Sequence, residues 1–252
     1  KLTASGTPME FDYNKAAERY DAYRKGGGPF LKTLHELACR SNAAHVLELG
    51  AGTGNNTQAF LDIYPCKLYG LELSRAMVKR AAGKVHAAHW VQGRAEHLPF
   101  RSASFDFVFA VLVLHHILDI FPVMQECRRV LRRGCAAFVT SPHDFIDRHP
   151  MNRYFPSFAA IDKARFHPIE KIEEALKQAG FTEVIAERII GEPQPLDHRY
   201  LEKVKGRFLS TFDLLPPGEL ERGIAHLQAD IEKYGVVPVD VRWECVTVWG
   251  MC

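Results

Sequence analysis

Between residues 41 and 142, short apolar runs alternate with segments whose apolar residues recur at helical spacing. The runs predict β-strands, and the helical spacing predicts amphipathic helices between them. The predicted strands are His45–Leu49, Lys67–Leu71, Trp90–Gln92, Phe105–Leu114 and Cys135–Thr140. The predicted helices carry Gln58–Ile63, then Met77, Val78 and Ala81 behind a Ser74 cap, then Ile120, Met124, Cys127 and Leu131 before Gly134.

The segments on either side of this region follow other patterns. Helical spacing predicts two helices before residue 41, one from Tyr13 to Tyr23 and one from Phe30 to Ala38. His143–Phe166 is predicted to be rich in loops, and Pro168 and Gly180 bound a further helix. The remaining predicted elements are a strand at Val184–Ile190, helices through Tyr200–Phe208 and Leu220–Ile231, and a closing strand at Val239–Met251.

Strands that alternate with helices predict a parallel sheet with helices on both faces. The predicted fold class is α/β, a Rossmann-like, doubly wound, mostly parallel seven-stranded sheet with helical cap insertions. We expect a single domain over 1–252. In it, 41–142 form the ligand-binding core, 10–40 form N-terminal helices, and 143–166 with 191–236 form the cap and substrate elements. Ligands of such sheets bind where the carboxyl ends of the strands gather.

The most informative segment joins the first predicted strand to the next helix. It contains Gly50, Gly52 and Gly54 at alternate positions, so the backbone can turn sharply and expose bare peptide groups to a ligand. The next strand ends at Glu72, where a carboxylate can accept hydrogen bonds from both hydroxyls of a ribose. Loop and acid together predict a nucleoside-binding site.

Two other interpretations of this loop remain open. A dinucleotide site, as in an NAD-dependent oxidoreductase, has the pattern GxGxxG, whereas this chain has GxGxG followed by Asn55. The glycines could also form a tight turn with no ligand.

Composition narrows the class of partner. The 32 basic and 30 acidic residues of this 252-residue chain leave a formal charge of +2, which does not favour a nucleic-acid partner. The six cysteines are scattered and show no zinc spacing, so we expect no metal. No apolar run reaches the roughly 20 residues of a membrane span, and no secretory signal opens the sequence. We therefore expect a cytoplasmic protein of unknown oligomeric state.

Six segments occur in the order typical of one enzyme family, the class I S-adenosylmethionine (SAM)-dependent methyltransferases. Within that family the chain resembles the ubiquinone/menaquinone-biosynthesis branch over nearly its whole length. The matching segments are Glu48–Gly54, Leu71–Ser74 with Met77, Gly93–Phe100 followed by Ser104–Asp106, Leu114–His116, Arg129–Gly134 and Ala179–Phe181.

The resemblance implies a role for each matching residue. SAM would be the methyl donor, S-adenosylhomocysteine (SAH) its product, and the last strand would run antiparallel. Glu48, Gly50, Ala51, Gly52 and Gly54 would hold the methionine and sulfonium part, and Glu72 the ribose. Leu73 would lie against the adenine, and Ala95 and Glu96 would meet its edge. Ala110 would lie near the methyl donor, and Tyr20 and Arg24 would close over the SAM carboxylate. Met77 would belong to the same cofactor site.

Arg94 departs from the family pattern. Many relatives have Asp there, which accepts a hydrogen bond from the adenine amino group, whereas a guanidinium cannot accept. Glu96 or backbone atoms would have to replace that contact.

Three histidines are candidates for a general base in methyl transfer. His115 and His116 follow the fourth predicted strand and His143 follows the fifth, so all three lie at carboxyl ends. A structural role for the first two is an equal alternative, and His143 could simply end its strand.

The acceptor is expected to be a small organic molecule. Aromatic and arginine side chains within Arg153–Phe158 and Arg165–Phe166 could stack on a flat or anionic acceptor, or they could be a packed cap surface. Arg128, Arg129, Arg132 and Arg133 are interpreted as the last turn of a helix rather than a nucleic-acid patch. The competing functions are methylation of RNA or protein and SAM binding without catalysis.

Overall fold

The computed structural model describes Asp21 and residues 26–252. The candidate site residues Tyr20 and Arg24 lie outside the described residues, and so does the predicted helix from Tyr13 to Tyr23 apart from Asp21. The strands of the described part are β1 (His45–Leu49), β2 (Lys67–Glu72), β3 (Ala88–Gln92), β4 (Phe105–Val111), β5 (Leu131–Thr140), β6 (Thr182–Leu196) and β7 (Val237–Met251).

These strands form one seven-stranded sheet in the order β3-β2-β1-β4-β5-β7-β6. Strands β1 to β5 pair with one another in parallel, and β7 runs antiparallel to both β5 and β6. The predicted fold class, including the antiparallel last strand, is confirmed. The order reverses next to β1, which places the glycine loop at the crevice where ligands of doubly wound sheets bind.

Helices cover both faces of the sheet. Those in the described part are α1 (Phe30–Arg40), α2 (Asn55–Ile63), α3 (Arg75–Lys84), α4 (Phe121–Val130), α5 (His143–Arg148), α6 (Phe158–Arg165), α7 (Ile169–Gln178), α8 (His198–Lys205) and α9 (Glu219–Tyr234). Apolar residues of α1 and α2 form a core on one face of the sheet, and those of α4 and α7 form a second core on the other face. None of the helices in the described ranges has the length and apolarity needed to cross a bilayer.

Two predicted boundaries between β4 and β5 were wrong. Strand β4 ends at Val111, because Leu112 has a left-handed φ of 54° and a 3₁₀ helix follows at Leu114–His116. Strand β5 begins at Leu131, so Gly134 lies inside it, beside a register shift in its pairing with β4. A Cβ at Gly134 would lie 1.9 Å from the carbonyl oxygen of Asp106, and only glycine tolerates that approach.

The arginine cluster was assigned to a single helix, which is half correct. Arg128 and Arg129 end α4, whereas Arg132 and Arg133 lie in β5. Arg129 forms an ion pair with Glu126 in the preceding turn of its own helix, at 2.6 Å. The four arginines are therefore divided between α4 and β5, and the charge of Arg129 is neutralised by Glu126.

The stretch 143–166 is more helical than predicted, since it contains α5, a 3₁₀ helix at Pro150–Arg153 and α6. Together with α8 and α9 it forms a third apolar core, separate from the two cores on the sheet; its largest fully buried side chains are Phe155, Phe158 and Phe212. Strand β6 continues to Leu196, six residues beyond its predicted end at Ile190.

Four charged side chains attach this cap to the sheet. Arg148 at the end of α5 binds both carboxylate oxygens of Glu244 on β7, each at 3.1 Å. Arg188 on β6 binds Glu244 at 3.0 Å and Asp144 at 2.8 Å. Arginine forks that bridge two carboxylates give directional contacts. The network holds α5, and with it the start of the cap, directly after the carboxyl end of β5.

Candidate functional site

The loop after β1 folds as its glycines predict. Gly50, Gly52 and Gly54 have φ values of 60°, 56° and 81°, in the left-handed region that glycine enters without a steric cost. A Cβ at Gly50 would lie 2.6 Å from a methyl carbon of Val113. Gly54 is the N-cap residue of α2. The backbone is therefore bare where the crevice opens.

Glu72 occupies the end of β2 beside this loop. Its side chain is buried, and its two carboxylate oxygens accept hydrogen bonds from the backbone N–H groups of Gly52 at 3.0 Å and Ser74 at 2.8 Å. An ionised carboxylate has about four acceptor positions, so two remain for other donors. The next residue, Leu73, is 48% exposed although it is apolar. Acid and exposed apolar side chain together suit a ribose and its base.

Glu48 lies deeper than its predicted role suggests. Its side chain is fully buried in β1 and accepts a hydrogen bond from the hydroxyl of Thr57. Burial raises the pKa of the Glu48 carboxyl to about 8; the Thr57 bond opposes the rise and the charge of Glu72 adds to it. In the folded protein the Glu48 carboxyl therefore keeps its proton up to about pH 8.

Three further predicted site residues are also buried. The N–H of Ala51 donates to the carbonyl of Leu71 at 3.0 Å. The N–H of Met77 donates to the hydroxyl of Ser74 at 3.3 Å, which confirms Ser74 as the cap of α3. Ala110 on β4 is buried beside Leu49 of β1. Direct contact between these three residues and a ligand stays a prediction.

The segment after β3 brings the predicted adenine-edge residues together. Arg94 and Glu96 form an ion pair at 2.9 Å, and Ala95 between them is buried. The side-chain amide of Gln92 donates to the carbonyl of Leu73 at 3.1 Å, which joins this segment to the exposed leucine. Arg94 thus holds the carboxylate of Glu96, which can accept a hydrogen bond, whereas the guanidinium of Arg94 cannot.

Asp21 is a residue that the sequence reasoning missed. Its carboxylate accepts hydrogen bonds from the hydroxyl of Thr53, from the side-chain amide of Asn55 at 3.0 Å and from Lys84 at 3.0 Å. Burial raises the pKa of Asp21, but the bonds from Thr53 and Lys84 outweigh it, so the pKa lies below its usual value. The available signal was its place beside Tyr20, in a segment already expected to close over the ligand.

The candidate histidines converge at the carboxyl ends of β4 and β5. His115 and His116 lie in the 3₁₀ helix after β4, and the ring of His115 stacks on Phe166 with centroids 4.2 Å apart. His143 begins α5, and its Nε2 lies 2.7 Å from the carbonyl oxygen of Phe166. His167, which was not predicted, has its Nε2 at 2.7 Å from the carbonyl of Ile117.

The bond to Phe166 settles the tautomer of neutral His143. A carbonyl oxygen only accepts, so Nε2 must carry the hydrogen and Nδ1 keeps a lone pair. A neutral imidazole held in this way can accept a proton at Nδ1. Among the described residues, no group of three or more His, Cys, Asp or Glu side chains has the arrangement of a metal site.

The cap aromatics are mainly occupied by packing. Phe155 and Phe158 are buried in the cap core, and the hydroxyl of Tyr154 donates to Asp230 at 2.9 Å. Arg153 binds the same Asp230 at 2.9 Å, and Arg165 binds Asp162 at 2.6 Å. These contacts favour the interpretation of a packed cap over an open stacking surface for the acceptor.

Comparison with known proteins agrees with this geometry. A protein-family model described as "Methyltransferase domain" matches residues 47–139, from β1 to β5. A biotin biosynthesis bifunctional protein of Cellvibrio japonicus is 30% identical over 67% of this chain and 34% of its own length. A demethylmenaquinone methyltransferase of Thermotoga maritima is 29% identical over 48% of this chain and 56% of its own length.

A solved structure extends the likeness beyond the core. It is that of a protein assigned to the methyltransferases of an antibiotic biosynthesis pathway in Anabaena variabilis. The TM-score is 0.69 at 25% identity, over 88% of this chain and 96% of that one. The chain spans between about a third and about half the length of the first curated relatives that it matches.

The sheet order, the left-handed glycine loop and the buried acid after β2 are those of a Rossmann-like fold. Residues 47–139 are similar to the methyltransferase domain, and demethylmenaquinone methyltransferases are among the relatives that the chain resembles.

Proposed function

We propose that this protein transfers a methyl group from SAM to a small organic acceptor bound between the crevice and the cap. The observation that carries the proposal is the position of Glu72. Its buried carboxylate joins the glycine loop through Gly52 and lies directly before the exposed Leu73. A ribose and an adenine require such an acid and such an apolar surface next to each other.

The residues present fit SAM as the cofactor. Glu72 would hold the ribose hydroxyls, Leu73 would lie against the adenine, and Glu96 would accept from its amino group while Arg94 orients it. The bare peptide groups of Gly50–Gly54 would face the methionine part. When bound, SAM supplies a methyl group on a positively charged sulfur, and the protein contributes alignment, worth up to about 7–11 kcal/mol in favourable cases.

Among the candidate bases, the contacts favour His143. Its Nε2–H is bound to Phe166, which fixes the ring and leaves Nδ1 to take a proton from the acceptor. His115 is instead stacked on Phe166, as expected of a packing role. Residues 143–166 and 191–236 would form the cap over the acceptor, and the whole chain would act as one unit.

Two observations support a small acceptor. The near-balanced charge offers little attraction to a nucleic-acid backbone. The relative from Thermotoga maritima is named for a demethylmenaquinone, a small organic molecule. Methylation of RNA or protein, and SAM binding without turnover, are the competing outcomes of the experiment.

The test combines binding with turnover. Calorimetry should detect binding of SAM and SAH but not of NAD. Incubation with methyl-labelled SAM should then place the label on members of a panel of phenolic and carboxylic small molecules. Binding of NAD in place of SAM would refute the proposal. Label on bulk RNA or protein alone would favour the macromolecular alternative, and binding without any turnover the non-catalytic one.

A further inference from the structure

Trp90 on β3 faces a glycine on the neighbouring strand. Gly70 of β2 pairs with Trp90, and a Cβ built on Gly70 would lie 2.5 Å from one carbon of the indole and 2.8 Å from another. Those atoms belong to a rigid ring, so a side chain at Gly70 would displace it. The indole therefore lies across the strand in space that only glycine leaves open.

The far edge of the same ring reaches the cofactor loop. A Cβ at Gly54 would lie 2.8 Å from the Cη2 atom of Trp90, so the loop rests directly on the indole. The indole N–H donates to the carbonyl of Val85 at 3.1 Å, which fixes the ring plane at its other end. Trp90 is thus held by β2, by the segment after α3 and by the loop.

The sheet register places the indole of Trp90 in line with Glu48 of β1. Glu48 of β1 pairs with Gly70, which pairs with Trp90, so the three residues lie side by side on the same face of the sheet. Because Gly70 has no side chain, the indole is the bulky group next in this row. It fills the space under the loop that a smaller residue would leave open.

We infer that Trp90 is a positioning residue for the cofactor site: its indole supports the Gly50–Gly54 loop from below and keeps the peptide groups of the loop in register with Glu72. The inference rests on the proposed function, because the loop is assigned to SAM. Trp90 acts through the loop and contacts no ligand itself, so its effect is on cofactor affinity.

Calorimetry with SAH tests the inference in four proteins. The wild type is compared with Trp90→Leu, with Trp90→Phe and with Trp243→Leu, a matched loss of a half-buried indole on β7. We expect Trp90→Leu to raise the Kd for SAH about tenfold or more, which corresponds to about 1.4 kcal/mol. Trp90→Phe should recover part of the affinity, and Trp243→Leu should leave the Kd within about twofold.

A double-mutant cycle with Gly70→Ala separates loop support from general stability. In the wild-type background the new methyl group displaces the indole, and we expect about a tenfold loss of SAH affinity. In the Trp90→Leu background the clash with the indole is absent, and the close neighbour that remains is the Cβ of Ala51 at 3.2 Å. Gly70→Ala should therefore cost markedly less affinity there than in the wild-type background. Thermal midpoints of all variants identify any that fail to fold, and Trp90→Phe then serves as the deciding variant.

The outcomes distinguish this inference from the proposed function. If the wild type fails to bind SAH, the proposed function is wrong, and the inference falls with it. If the wild type binds SAH but folded Trp90 variants keep its Kd, only the inference is wrong. The inference is also wrong if Gly70→Ala weakens binding equally in both backgrounds. A loss in Trp90→Leu and in Gly70→Ala that Trp243→Leu does not share, with partial recovery in Trp90→Phe, supports it.

Discussion

The carboxylate of Glu72 accepts a hydrogen bond at 3.0 Å from the backbone N–H of Gly52, so the acid after β2 and the glycine loop after β1 are directly connected. Neither the loop nor the acid can move without disturbing the other. The ribose-binding and methionine-binding parts of the proposed site therefore form one unit, and a change in Glu72 should be felt in both.

We expect Glu72→Ala to weaken SAM binding by about 1–3 kcal/mol, a roughly 5- to 150-fold increase in Kd, because a buried charged acceptor is lost. Isothermal calorimetry provides the measurement. Glu36→Ala, which removes an exposed carboxylate on α1, is the control and should bind SAM as the wild type does. Unchanged affinity in Glu72→Ala would show that the ribose is bound elsewhere.

Asp21→Asn should loosen the glycine loop. The carboxylate of Asp21 accepts from Thr53 and Asn55, the residues on either side of Gly54, and binds Lys84. The neutral amide loses the charge-assisted part of these bonds, so we expect SAH to dissociate several-fold faster, for about 1 kcal/mol. Stopped-flow dissociation measures the rate. Asp62→Asn is the surface control and should release SAH at the wild-type rate. If Asp21→Asn also released SAH at the wild-type rate, Asp21 would not order the loop.

His143→Gln should separate the base from the backbone contact. Glutamine can still donate to the carbonyl of Phe166, but it has no nitrogen that accepts a proton. We expect the turnover number to fall about 10²- to 10⁴-fold with little change in the Kd for SAM. His167→Gln is the control, because the imidazole of His167 binds the carbonyl of Ile117 in a similar way. Its turnover should stay within a few-fold of the wild type. Near-normal turnover by His143→Gln would remove His143 as the base.

Glu48 should make stability depend on pH in an unusual direction. Because its pKa in the folded protein is about 8, against an ordinary value of 4.5, the folded state holds a proton that the unfolded state has released in this range. The free energy of unfolding should therefore decrease as the pH rises from about 4.5 to 8, by about 3–5 kcal/mol for this group.

Glu48→Gln should flatten that dependence, because glutamine stays neutral at every pH. Urea unfolding between pH 5 and pH 9 measures the slope for the wild type and the variant. Glu36→Gln, on the surface of α1, should keep the wild-type slope. Equal slopes for the wild type and Glu48→Gln would show that Glu48 does not hold a proton in the folded protein.

Local sequence determined much of the fold. The bounds of β1 agree residue for residue with the prediction, and Ser74 caps α3 as expected. Elements of this kind depend on side chains a few positions apart, through alternation, helical period and capping. The glycine loop is local in the same way, because positive φ values depend on the residue itself. Sequence therefore predicted the crevice and the acid beside it.

Tertiary structure decided the remainder. Three contacts join residues that are distant in sequence or on different strands. His143 binds Phe166, Asp21 binds Thr53, and Trp90 fills the space over Gly70. The same holds for the first residue of β5, where pairing with β4 extends the strand back to Leu131 past a left-handed Gly134. Side-chain patterns record which faces are apolar. Which partner occupies each face is decided only when the chain closes on itself.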